Sequence, residues 1–257
     1  VHLRKAVFLG YLCELDSVYL CCYNSVSGTG TDSEASGIFA GAGCVQEEKV
    51  ILFGLREIGL EICMKEKKLI LASASPRRRE LLERLTKNFE IQVCHDEEHS
   101  DADAPSIRVM ELAEHKAKAV GKMVSEPALV IGSDTIVVLG TEVLGKPKDE
   151  EDAARMLTEL SGNTHSVYTG VSLYDTETGM CDTFYEETKV HMIPLTEEEI
   201  RSYVATGEPM DKAGAYGIQQ GLSSAFVSGI SGDYYTVVGL PLCALRLKLK
   251  EQGFTLS

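Results

Sequence analysis

Residues 67–85 read KKLILASASPRRRELLERL. Leu69 to Ala72 make a short apolar run suited to a strand, Ser75 is a good helix N-cap, and Pro76 is pre-set for the first helical position. A strand is therefore expected to feed a helix that starts at Pro76, with Leu81, Leu82 and Leu85 as its buried stripe. Arg77, Arg78 and Arg79 crowd the first turn of that helix, against the positive end of its dipole, which costs stability. Free backbone N–H groups, the dipole and two or three guanidinium groups make an anion site best suited to phosphate. The plainer alternative is a solvated basic turn at a surface helix start. A local rule broken without local compensation points to function.

The chain around this stretch has 257 residues, 44% hydrophobic and 25% charged, enough to bury a core in one large domain or two lobes. No apolar run approaches the length of a membrane span, and the short stretch Ala6 to Leu12 gives way to Glu14 and Asp16, so neither a membrane span nor a signal peptide is expected. A net charge of −14 disfavours general nucleic-acid binding; a polyanionic small molecule would need a local basic cluster or a metal ion. Eight cysteines occur without a C-x-x-C pair, so no zinc ribbon or disulfide framework is expected and a reducing cytoplasm is the expected location.

Residues 1–63 differ in character from the rest of the chain. They carry the Gly/Ser/Thr-rich run Ser25 to Gly43 and five of the cysteines, with a short helix expected near Val50 to Cys63. They are expected to be an N-terminal extension of unknown role or a mis-assigned start, with a small accessory domain as the alternative. From Met64 to residue 257, strand and helix signals alternate. Strands are expected at Glu90 to Cys94, Ala128 to Leu139, His165 to Tyr174 and Cys181 to Ile193, with further strands around Ser224 to Val227 and Tyr234 to Val238. Helices are expected over Ser106 to Val124, from an Asp149 cap to Leu160, after the Thr196/Glu199 capping box, and from Pro241 onward. The pattern predicts an α/β fold with a mixed central sheet and flanking helices.

Asp134 sits in ALVIGSDTIVVLG, flanked by apolar residues on both sides. A carboxylate on a buried strand requires a metal, a cation or a hydrogen-bond network; the bland alternative is a capped turn between two short strands. Lining a cleft, Asp134 could hold a divalent cation or accept a proton from an attacking water. Glu97 and Glu98 lie in the acidic run CHDEEHSDAD, usually a solvated face. The same run spells H-x-x-E-H through His95, Glu98 and His99, but the run is short and Pro105 comes soon after it, so a helical zinc-peptidase site is disfavoured. In the segment Glu208 to Gln219, small residues permit close approach to a planar base, and Gln219 offers both a donor and an acceptor suited to the edge of uracil or thymine.

Six motifs in order carry a specific resemblance: SASPRR after the first strand, EHKA at Glu114 to Ala117, GSDT at Gly132 to Thr135, GKP at Gly145 to Pro147, SG-x-x-H at Ser161 to His165, and EPMDKAGAYGIQ at Glu208 to Gln219. Over roughly Met64 to Phe254 the chain resembles the Maf family of nucleotide pyrophosphatases. The resemblance implies a Maf-like (ITPase-like) fold with two lobes around a cleft, and hydrolysis of dTTP or UTP to the monophosphate and pyrophosphate. It implies Asp134 as catalytic base, Glu98 as metal-associated carboxylate beside Asp134, and Mg²⁺ or Mn²⁺ as cofactor. Lys116 and Lys146 resemble family lysines that face the triphosphate. Arg77, Arg78 and Ser73 are expected to hold phosphate oxygens. Arg78, Thr135 and Gln219 match the pyrimidine-acting subgroup, and Thr135 and Gln219 are expected to discriminate the base. A homodimer is also implied, as is an alternative role as a nucleotide-binding regulator of septum formation. His115 stands where members often carry another residue.

Overall fold

In the computed structural model the described residues are 67–95, 99–219, 221–254 and 256. Residues 1–66, with the helix expected near Val50 to Cys63, lie outside them, as does Glu98. The described residues form a seven-stranded mixed sheet: β1 (Lys68–Ala72), β2 (Glu90–Ile91), β3 (Ala128–Leu139), β4 (Glu142–Leu144), β5 (Thr164–Asp175), β6 (Cys181–Met192) and β7 (Val227–Ser231). Spatial order is β2-β1-β3-β5-β6-β7, with β4 added to β3. Only the β2–β1 and β1–β3 pairs are parallel; the rest are antiparallel.

The register of β3 creates the most consequential feature of the sheet. On one edge β3 pairs continuously with β5 from Leu129 to Val138. On the other edge β1 pairs with it only as far as Gly132, and β4 resumes at Val137. Residues 133–136 therefore have no strand partner on that edge, and the sheet carries a notch just past the carboxyl end of β1, the kind of place where α/β sheets bind ligands. Within the buried run of β3, Asp134 and Thr135 are the half-buried exception.

The helices are α1 (Pro76–Leu82), α2 (Pro105–Gly121), α3 (Glu150–Leu160), α4 (Glu197–Val204), α5 (Tyr234–Val238) and α6 (Leu242–Glu251). Helix α1 starts as its residues dictate, with Ser75 Oγ accepting from the Arg78 N–H at 3.5 Å and Pro76 at the first position. It is only seven residues long, so Leu85 lies in the turn beyond it, yet still packs on the same core as Leu81 and Leu82. Asp149 caps α3, and Thr196 with Glu199 forms the capping box of α4. Two expectations fail. Tyr234–Val238 is helical despite its β-branched and aromatic residues, because the Asp233 carboxylate accepts from the N–H groups of Tyr235 and Thr236 and nucleates a turn. Leu222–Phe226 is a 3₁₀ turn, and the strand begins only at Val227.

Two main apolar clusters flank the notch. One joins β1, α1, α6 and the early part of β3; the other joins α3, α4 and the later part of β3. These are the two lobes. Helix α2 lies against β3 and β5 closely enough that a Cβ on Gly132 would fall 2.1 Å from the Ala113 carbonyl oxygen, and one on Gly170 would fall 2.2 Å from that of Val109. Both glycines are required for that approach, and it carries Lys116 onto the sheet.

Candidate active site

The notch opens into a cleft of about 1130 Å³, a little above the range of about 300–1,000 Å³ typical of small-ligand sites. Ser73, Arg77, Arg78, Lys116, Asp134, Thr135, Lys146 and Gln219 all line it. They come from separate stretches of chain that the fold brings together. Lys212 adds a further cation and Glu80, Glu208 and Asp211 further carboxylates. In a chain with an excess of fourteen acidic side chains, five cations facing one cavity mark it for an anion.

Asp134 is joined to α2. Lys116 Nζ donates to Asp134 Oδ1 at 2.5 Å and to the Ser133 carbonyl oxygen at 3.4 Å. Their side chains are 18% and 16% exposed, so the aspartate has a cation beside it, as a carboxylate on this strand demands. The alternative of a turn between short strands does not hold, because β3 runs unbroken through Asp134.

The three arginines of α1 separate. Arg78 Nε donates to the Gly239 carbonyl oxygen at 2.9 Å and its Nη2 to Thr135 Oγ1 at 3.0 Å. Thr135 is held in turn by Thr169 at 3.0 Å, which donates to the Thr236 carbonyl oxygen at 2.7 Å. A guanidinium misplaced by the rule for its own helix is thus received by the carbonyl that closes α5. Arg77 bonds Asp211 twice, Nη1 to Oδ2 at 2.8 Å and Nη2 to the carbonyl oxygen at 3.3 Å. Lys212 also donates to Asp211, at 2.7 Å. Burial pulls the Asp211 carboxyl upward, but Lys212 and Arg77 together hold it below its ordinary value. Arg79 turns away to Glu83 on the surface. Ser73 Oγ accepts from the Ser75 N–H at 3.2 Å, which leaves its hydroxyl proton to donate.

Lys146 comes after Gly145, whose carbonyl accepts from the Gly214 N–H at 3.0 Å, so the GKP loop is tied to the turn that leads to Gln219. His95 lines the cleft while His99 pairs with Asp101 at 2.7 Å, and neither is helical, against the zinc-peptidase alternative. Among the described residues no group of three or more His, Cys, Asp or Glu is arranged to hold a metal. Mg²⁺ commonly takes one or two carboxylates together with substrate phosphates, so Asp134 facing a cleft lined by cations is a donor that fits such an ion.

Several cleft residues carry no local signal. Asp211 belongs to the EPMDKAGAYGIQ motif, but its partner Arg77 is 134 positions away, and no local pattern announces such a pair. His95 and His115 also line the cleft, His95 carrying only the disfavoured H-x-x-E-H spacing and His115 only its place beside Lys116 in the EHKA motif. The described residues contain no helix long and apolar enough to cross a membrane.

A family model described as Maf-like protein matches residues 68–252. A dTTP/UTP pyrophosphatase of Clostridium novyi is 50% identical over 192 residues, covering 74% of this chain and 100% of that protein. One from Bacillus cytotoxicus is 53% identical over 186 residues, covering 72% and 95%. One from Agathobacter rectalis is 48% identical over 200 residues, covering 72% and 97%. A solved HAM1 protein from Coxiella burnetii gives a TM-score of 0.41 at 14% identity over 72% of this chain and 99% of that one, too slight a likeness to bear on fold or function. With its motifs gathered on one cleft and relatives matched along nearly their whole length, the chain belongs to the Maf-like protein family.

Proposed function

We propose that this protein is a nucleoside triphosphate pyrophosphatase that hydrolyses dTTP and UTP to the nucleoside monophosphate and pyrophosphate. The observation that carries the reading is the shared cavity: Arg77, Arg78, Lys116 and Lys146 face the same space as Asp134. Water attacks the α-phosphorus, the bond from that phosphorus to the bridging oxygen breaks, and pyrophosphate leaves. Asp134 orients the water and takes its proton, which passes to solvent. Lys116 holds the carboxylate in place for that step. The arginines and lysines counter the charge of the triphosphate as it shifts to the leaving pyrophosphate. Ser73 donates to a phosphate oxygen. Thr135, held by Arg78, and Gln219 select the base.

A divalent cation, Mg²⁺ or Mn²⁺, would be held by Asp134, with Glu98 as a further ligand, and would neutralise phosphate charge. The reading extends to a cytoplasmic homodimer acting on the free nucleotide: the resemblance supports the dimer, the cysteine usage the compartment, and the acidic composition a small-molecule rather than a polymeric substrate. Pyrophosphate release measured across a panel of nucleoside triphosphates, with Mg²⁺, Mn²⁺ and excess chelator, tests it. Turnover of UTP and dTTP above purine nucleotides is expected. Tight nucleotide binding without turnover would overturn the enzymatic reading and favour the regulatory one.

A further inference from the structure

We propose that His165, behind the cleft wall, is a positioning residue: through Tyr216 it holds the turn 213–219 in the shape that reads the substrate's base. The inference rests on the pyrimidine nucleotide reading above. His165 is 2% exposed on β5, and its Nε2 lies 2.7 Å from the Tyr216 hydroxyl, the two rings meeting edge to face at 5.3 Å. Tyr216 is itself buried, yet it forms part of the cleft lining with Val167 and Ala213. One end of this pair is therefore in the sheet and the other in the substrate wall.

The turn has need of such a tie. Gly214 and Ala215 take successive left-handed conformations, φ 69° and φ 60°, and Ala215 is the sole non-glycine with positive φ among the described residues. An L residue adopts that geometry at a cost that neighbouring contacts must offset, and such costs gather where a backbone is held for function. The adjoining residues supply the contacts. The Tyr216 ring is locked by His165, and the backbone of Gly217 is held on both sides by Ser223 Oγ, which accepts from its N–H at 3.3 Å and donates to its carbonyl at 2.8 Å. Two residues later the chain presents Gln219.

The imidazole is not there for packing alone. Its Nδ1 is buried without a partner among the described residues, a burden that an aliphatic side chain of similar size would avoid. Burial, with His191 as a smaller contributor, draws its pKa down to about 4, and burial pushes the Tyr216 hydroxyl far above its ordinary value. Both groups are neutral through the working pH range, so the tie between them is constant.

The test compares Tyr216→Phe, which keeps the ring and loses the hydroxyl, with His165→Leu and the wild-type chain. Pyrophosphate release gives kcat and KM for UTP, dTTP and CTP, and thermal melts report on the fold. Tyr216→Phe is expected to raise KM for UTP by about two- to tenfold, the worth of one neutral hydrogen bond, with a smaller change in kcat and a reduced preference for UTP over CTP. His165→Leu is expected to repeat that pattern. A folded Tyr216→Phe with wild-type KM and wild-type UTP:CTP preference overturns the inference, as does an equal loss on all three nucleotides, the mark of a purely structural role. Should His165→Leu fail to fold, Tyr216→Phe alone decides. A wild-type chain that releases no pyrophosphate from UTP or dTTP overturns the underlying reading instead.

Discussion

The Lys116 ammonium stands 2.5 Å from Oδ1 of Asp134, joining a helix to the one carboxylate that interrupts the apolar run of the central strand. Removing the charge of Asp134 takes away the proposed base while sparing the packing around it. Asp134→Asn is expected to lower kcat for pyrophosphate release by about 10²–10⁴-fold, the usual worth of a positioned general base. Circular dichroism should show the native fold, and near-normal turnover would remove Asp134 from that role.

The approach of α2 to the sheet depends on residues with no side chain. Gly132→Ala would put a methyl group 2.1 Å from the Ala113 carbonyl, where neither backbone can yield without moving Lys116. A loss of about 1–3 kcal/mol in denaturant-derived stability is expected, as for an overfilled core, together with a loss of activity larger than the unfolded fraction explains. A variant as stable and active as the wild type would show that α2 has room to shift.

Arg78 meets two acceptors with two different nitrogens, Gly239 O and Thr135 Oγ1. Lysine has the charge but not the planar fork. Arg78→Lys should lower kcat/KM for UTP by about tenfold, on the order of the low-end worth of one hydrogen bond to a charged group. An unchanged kcat/KM would mean that charge alone matters at this position.

Asp211 pairs with Arg77 and Lys212 in the cleft, where a phosphate group would compete with it for the same donors. The Arg77 bridge is half-exposed, so its strength is modest. Asp211→Asn is expected to lower KM for UTP by roughly two- to fivefold at low salt, with the gain fading as salt rises. A raised KM would instead make Asp211 part of the substrate site.

His165 gives stability a pH dependence of known sign. Its folded pKa of about 4 lies below the ordinary 6.5, so the unfolded chain takes up a proton here that the folded chain refuses. The contribution is whole above pH 6.5 and is lost as pH falls toward 4, by on the order of 3 kcal/mol at most. Thermal melts over that interval should show a steeper fall for the wild type than for His165→Leu; parallel curves would mean that His165 titrates normally.

Local chemistry was enough to read much of the fold. The Ser75-Pro76 start, the Asp149 cap and the Thr196/Glu199 box rest on contacts within a few residues, so the chain spells them directly, and the apolar, β-branched run around Asp134 spells its strand by pattern. The motifs likewise named residues that line the cleft. Tyr234–Val238 misled, because a single aspartate before it outweighed five strand-favouring side chains.

By itself, then, the order of residues determined where elements begin, that an anion is wanted beside Arg77 and Arg78, and that Asp134 needs a partner. Only the tertiary structure decided which partner, since Lys116 reaches Asp134 through the packing of α2 on Gly132 and Gly170. It also decided that Arg78 turns to Gly239, Arg77 to Asp211 and Arg79 to the surface. The reason is physical: capping and periodicity act within one or two helical turns, whereas Arg78 and Arg77 turn to acceptors 161 and 134 positions away that only folding brings beside them.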